Sequence, residues 1–169
     1  SIDYAYLNSE RGEGQGRPII VMKCRRTKLM TAFRVRQKGA QDKIALKSVA
    51  RDIEKILGHS KIVIRSDQEP AMIDFKNTLK SILRCDAAIE DTPVGDSKAA
   101  GTIENANRQA QAAIRTIKMA LEARLKCDIP DDHIIMDWLI KHAVATRNRF
   151  HIGKDGLTAI RRCKGRGFN

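Results

Sequence analysis

No Cys-x-x-Cys spacing occurs in this chain. Its four cysteines, Cys24, Cys85, Cys127 and Cys163, are dispersed, and the four histidines, His59, His133, His142 and His151, fall in no pattern with them that a tetrahedral zinc site needs. The cysteines therefore read as reduced and structural, as in an intracellular protein. No apolar run approaches the length of a membrane span, and no signal peptide is visible. An initiating Met is also missing, so the chain reads as a piece of a longer protein. Aromatic residues are scarce, with one Trp, two Tyr and four Phe. Acidic side chains are outnumbered too: 32 Lys and Arg against 20 Asp and Glu give a formal charge of +12. That balance implies a polyanionic partner, most often nucleic acid. The excess is uneven, for Asp155 is the lone acid among eight basic residues from Lys141 onward. A solvated tail of no specific role would show the same bias.

The length of 169 residues suits one compact domain. Residues 1–150 read as that domain and 151–169 as a basic C-terminal extension. Periodicity predicts strands over Ile2–Leu7, Pro18–Cys24 and Leu29–Arg36, which form an antiparallel meander. In the third, Phe33 and Val35 alternate with Arg34 and Arg36, predicting one solvated face. The polar stretch between the first two strands holds Gly12, Gly14 and Gly16 and reads as a mobile hairpin loop. No helix follows it, so a dinucleotide-binding fingerprint is excluded. A helix over Lys43–Leu57 ending at Gly58 comes next, then a buried strand Ile62–Arg65 and a helix over Pro70–Leu83. A short strand Ala87–Asp91 precedes a loop, Thr92–Ala100, and the longest helix, Gly101–Leu125. A last helix runs from His133 to about Arg149, with Asp132 as its cap and Ile134, Ile135, Trp138, Leu139 and Val144 buried. The expected architecture is α/β: a five-stranded mixed sheet, its three antiparallel strands first, flanked by helices.

Three carboxylates stand out on this topology. Asp67 leaves the C-terminal end of the fourth strand, where α/β proteins collect their chemistry, although such an Asp also serves as a helix N-cap or turn residue. Asp3 lies inside the first strand, where a charge is costly unless paired or metal-bound. Glu104 stands in the expected first turn of the long helix. From it Arg108, Gln111 and Arg115 extend along one face, a ladder that by itself also describes an ordinary solvated helix. With the first and fourth strands adjacent, the three carboxylates converge at one edge. Repulsion among them is relieved by shared divalent metal, and oxygen ligands without His or thiolate suit Mg²⁺ or Mn²⁺.

Asp3-Tyr4, Ser66-Asp67-Gln68-Glu69-Pro70 and Gly101-Thr-Ile-Glu104-Asn-Ala-Asn-Arg108 together resemble the integrase catalytic cores of retroviruses and long-terminal-repeat retrotransposons. That family has a ribonuclease-H-like fold and a D, D, E triad. The interval from Asp67 to Glu104 is close to the family's, and Asp155-Gly-Leu-Thr158-Ala159 and Gly165-Arg-Gly-Phe168 look like the segment following retrotransposon cores. Gln68-Glu69 stands where Asn-Gly is common, and Ala159 where Pro is usual.

The resemblance implies a retrotransposon Pol-derived integrase core that processes DNA 3′ ends and transfers strands. Asp3, Asp67 and Glu104 would be catalytic residues and ligands of two Mg²⁺ or Mn²⁺ ions clamping an in-line displacement at phosphorus. Such chemistry needs no covalent intermediate, and no Ser-His or Cys-His arrangement is expected. Arg108, Gln111 and Arg115, with Asn107 and the loop residue Lys98, would hold DNA through its backbone. Element ends and target DNA are the implied partners, with at least a homodimer, no membrane, and the nucleus as the place of integration. Flanking zinc-binding and basic modules would lie outside this stretch. Three alternatives share the fold: an inactive nucleic-acid-binding module, a ribonuclease-H-type nuclease, and a cut-and-paste transposase.

Overall fold

The computed structural model describes residues 1–7, 17–91 and 97–165, the side chains of 97–100 excepted. The expected glycine-rich hairpin loop falls mainly on residues outside that set. Three short strands, β1 (Ile2–Ala5), β2 (Ile19–Lys23) and β3 (Met30–Arg34), form an antiparallel sheet in the order β1-β2-β3. Asp3 lies opposite Val21 in this register. Side chains alternate across the pleat, so the sheet has two covered faces. Ile2, Tyr4, Ile20, Met22, Phe33 and Val35 pack against α1 (Lys43–Arg51) and α2 (Pro70–Ile82). Ala5, Ile19, Val21, Met30 and Ala32 pack against α3 (Ser97–Leu125) and α4 (Ile135–Phe150). The result is three layers, helices on both sides of a sheet.

The five-stranded sheet divides. β4 (Lys61–Ser66) pairs in parallel with β5 (Asp86–Asp91), and this two-stranded sheet lies beside β1 without joining it in a hydrogen-bonded ladder among the described residues. A cavity of about 370 Å³ lined by Ile2, Cys24, His59, Ile62 and Ile64 occupies the place where the start of β1 would close on β4. β4 is also less buried than its composition suggests. Ile64 and Ser66 face inward, but Val63 is 53% exposed. On that outer face Lys61–Asp86 and Arg65–Glu90 pair across the two strands.

Other elements depart from expectation in instructive ways. The helix expected over Lys43–Leu57 is α-helical only to Arg51 and widens to a π-helix over Asp52–Leu57, ending at left-handed Gly58 as the Gly predicts. Neither face of β3 is solvated, because Arg34 lies under α4 and donates to His133 O and Asp137 Oδ1. Ile134 and Trp138, expected in the core, are exposed, and Trp138 stacks on His142 instead. α4 begins with Ile134 as its cap residue rather than Asp132. Within the basic extension Ile152 bridges Thr158, and α5 (Ala159–Lys164) starts under a Thr158 cap. No helix among the described residues is long and apolar enough to cross a membrane.

Candidate active site

β1 delivers Asp3 to the face that α3 covers, because Tyr4 beside it takes the opposite face against α1 and α2. β4 ends at Ser66, whose hydroxyl donates to Asp67 O at 2.8 Å, and Asp67 begins the turn into α2. Its Oδ1 accepts weakly from Glu69 N at 3.4 Å, while Glu69 is the N-cap residue and Pro70 opens the helix. Asp67 is therefore exposed and only loosely engaged in capping.

Asp3 and Asp67 meet electrostatically. Burial, then the charge of Asp67, lifts the Asp3 carboxyl to about 6, against hydrogen bonds from Asn107 and from the Tyr4 backbone that favour its ionised form. Those bonds are 2.8 Å from Asn107 Nδ2 to Asp3 Oδ2 and 2.8 Å from Tyr4 N to Oδ1. A half-buried carboxylate held against a second carboxylate is a place where added positive charge lowers the energy.

Glu104 does not join them. α3 begins at Ser97, so Glu104 sits about two turns inside the helix rather than in its first turn. Its carboxylate is exposed and ion-paired with Arg108 one turn on. Among the described residues no three His, Cys, Asp or Glu side chains are gathered closely enough to hold a metal ion. The donor set of Asp3 and Asp67 nonetheless fits a hard divalent cation: two oxygen ligands, uncompensated repulsion, and no sulfur or imidazole. The buried Oδ1 of Asn107, beside Asp3, has no hydrogen-bond partner among the described residues.

The expected DNA-holding residues divide by what they already bind. Asn107 is taken up by Asp3, and Gln111 Nε2 donates to Tyr6 O at 2.6 Å, so both amides pin α3 to β1 and its extension. Arg108 and Arg115 are exposed on α3. The side chain of Lys98 lies outside the described residues. Two charged groups at this end of the sheet were not anticipated. Lys38 Nζ bonds Glu69 Oε1 at 2.7 Å and lies 5.3 and 5.5 Å from the ring centres of Tyr4 and Tyr6. Glu69 contributes further negative potential at Asp3. The Lys38-Gly39 loop carries no sequence signal for this, because its position follows from Tyr4 Oη accepting the Gly39 N–H at 2.9 Å.

No family model and no curated protein matches the chain. Solved structures do. The catalytic core domain of BIV integrase superimposes with a TM-score of 0.65 at 14% identity, covering 96% of this chain and 90% of that one. The catalytic core domain of HTLV-2 integrase, in a trimeric form in complex with magnesium, gives 0.60 at 14% identity, covering 96% and 92%. The chain thus has the fold of retroviral integrase catalytic cores over nearly its whole length, as the sequence motifs implied.

Proposed function

We propose that this chain is an integrase-type catalytic core, of retrotransposon Pol origin, which cuts and joins DNA by metal-dependent phosphoryl transfer. The observation that carries the reading is the Asp3–Asp67 pair, set at the edge of β1 and the end of β4 in a fold shared with integrase cores. Asp3 and Asp67 would hold Mg²⁺ or Mn²⁺, with Glu104 as the third ligand once it releases Arg108. Bound there, divalent ions supply positive charge to the attacking and leaving oxygens of an in-line displacement. Asn107 orients Asp3 and favours its ionised form, the state that can ligate, against the burial that raises its carboxyl. Arg108, freed from Glu104, sits one turn along α3 and faces the phosphates, with Arg115 two turns beyond Arg108. The DNA partner, an oligomer of at least two copies, and the nucleus as working compartment belong to the same reading.

The test incubates end-labelled duplex oligonucleotides with the chain in Mn²⁺ or Mg²⁺, beside Asp67→Asn and Glu104→Gln. Metal-dependent nicking or joining is expected, and its loss in both variants. Undiminished product in both variants would refute the site. The separation of Glu104 from the aspartates favours one other reading, a nucleic-acid-binding module without catalysis. It is distinguished by salt-sensitive DNA binding that Asp67→Asn leaves unchanged and by the absence of any cleavage.

A further inference from the structure

A cleft of about 410 Å³ opens between the end of β2, the turn that follows it, the last turn of α4 and the segment leading into α5. Its lining includes Lys23, Arg26, Lys28, Arg147, His151 and Lys154. None of the carboxylate-site residues described above lines it. One acid, Asp155, is present, and it is engaged by Arg162, whose Nε donates to Oδ2 at 2.8 Å. Among the described residues, Arg26, Lys28, Arg147 and Lys154 have no ion-pairing carboxylate, and Lys23 Nζ reaches only the neutral Gln109 Oε1 at 3.2 Å. The cleft is therefore a concave surface with a surplus of like charge.

The cations are displayed on fixed backbone. Cys24 N donates to Leu29 O, and Lys28 N to Cys24 O, at 2.8 and 2.9 Å, closing the turn around buried Thr27. Lys28 itself is held at φ 62°, a left-handed conformation uncommon for a non-glycine residue. Asn148 clamps the opposite wall by exchanging hydrogen bonds with Met30 N and O at 3.0 and 2.6 Å. Burial, then Arg147 and Lys28, lowers the affinity of Lys23 for its proton, and burial followed by Arg147 and Lys23 does the same for His151. Cations gathered in this way repel one another until an anion enters between them.

We infer that this cleft is a second nucleic-acid contact that takes phosphates of a DNA backbone. The inference rests on the DNA-acting reading above for the identity of its anion. A backbone, which presents phosphates in series, matches a lining spread over three chain segments and continuous with a +12 molecule. Arginines and lysines without base-edge geometry predict binding that ignores sequence and depends steeply on salt.

The test measures anisotropy of a labelled duplex with the whole chain in EDTA, across about 50–200 mM salt. One variant removes three exposed cations of the cleft, Arg26→Gln, Lys28→Asn and Lys154→Gln. A charge-matched control removes three exposed cations of the α1 region, Lys43→Gln, Lys47→Gln and Lys55→Gln. Melting curves confirm that both fold. The cleft variant is expected to bind about tenfold or more weakly, and its salt slope to fall by roughly two to three, at about 0.9 for each phosphate left without its cation. The control should change little. Equal losses in both variants, or no loss in the cleft variant, would overturn the assignment. Inorganic tripolyphosphate is titrated in parallel, because a free polyphosphate offers the same chemistry. If the cleft variant loses tripolyphosphate binding and keeps its DNA affinity, the nucleic-acid assignment is overturned. Cleavage is scored separately in Mn²⁺. A chain that binds through the cleft and never cuts removes the catalytic reading alone, and a chain that cuts with unaltered binding in the cleft variant removes this one alone.

Discussion

Lys76 is a lysine at 1% exposure, set in the apolar stripe of α2 between Met72 and Leu79. Its ammonium is ion-paired with Asp91 at the end of β5, and that carboxylate is half exposed. Removing the acid leaves a buried cation with no partner. Asp91→Asn should therefore destabilise the chain by about 2 kcal/mol, below the usual cost of breaking a fully buried pair because water reaches Asp91. In the Lys76→Met background the same substitution should cost nearly nothing, and urea unfolding of the single and double variants measures both. Equal costs in the two backgrounds would show that the pair does not hold α2 to β5. Lys76 lies one turn from Met72 and from Leu79, on the buried face, yet periodicity says nothing of a partner fifteen residues away on a strand. Asp3 was legible for the opposite reason. A charge in the middle of a short apolar strand has few explanations, and the structure supplies Asn107 and Asp67 as its neighbours. Glu104 was legible as a motif residue on one face with Arg108, but its place two turns inside α3 was not, since where α3 begins depends on Ser97–Ala100, residues whose composition reads as loop.

Elements were easier to read than their edges. Every strand and every long helix expected from periodicity is present, because each carries a stripe of Ile, Val, Leu or Ala at the right period. α5 was not anticipated, being only six residues long. Its start has a local cause: Thr158 Oγ1 accepts from Arg161 N at 3.2 Å, and Ala159 occupies the first helical position, where Pro is also favoured. The C-terminal end of α5 then reaches the π-helical turn, where Cys163 Sγ and Lys164 Nζ donate to Ile56 O at 3.3 and 3.2 Å. A carbonyl at a helix C-terminus that lacks an internal acceptor role is satisfied by the tail, and the Lys164 charge suits the helix dipole there. Thr158→Ala should cost about 1 kcal/mol. It should also speed amide exchange across Ala159–Lys164, with Thr158→Ser retaining protection. Unchanged exchange in the Ala variant would mean that α5 is held by its packing alone. The exposed Trp138 shows where periodicity stops informing at this scale. Its ring lies on the stripe by spacing, but His142, one turn on, takes it as a stacking partner outside the core.

At the scale of the whole molecule, the layered α/β architecture was legible, and so was the likeness of the fold to integrase cores, because the sequence order of strands and helices follows from their periodicity. The division of the sheet into three and two strands was not, since pairing between β1 and β4 is settled by packing across a cavity rather than by either strand's sequence. Where the layers meet there is a buried acid, Asp52, 3% exposed at the junction of α1 with the π-helical turn. Burial raises its carboxyl above the usual range, and hydrogen bonding from Arg51 with the charges of Arg51 and Lys141 only partly offsets this. A carboxyl raised on folding binds its proton more tightly in the native state. The stability this adds is full below the ordinary carboxylate range and is lost as pH rises through the raised value. Asp52→Asn imitates the protonated form at every pH and still accepts from Arg51. The variant should therefore match the parent near pH 4 and exceed it at pH 7.5, with the gap opening between them. Urea unfolding at the two pH values measures this directly. A variant that is less stable at pH 7.5 than at pH 4, relative to the parent, would mean that the Arg51 and Lys141 charges outweigh burial, and that Asp52 works in the fold as an ion-pair partner.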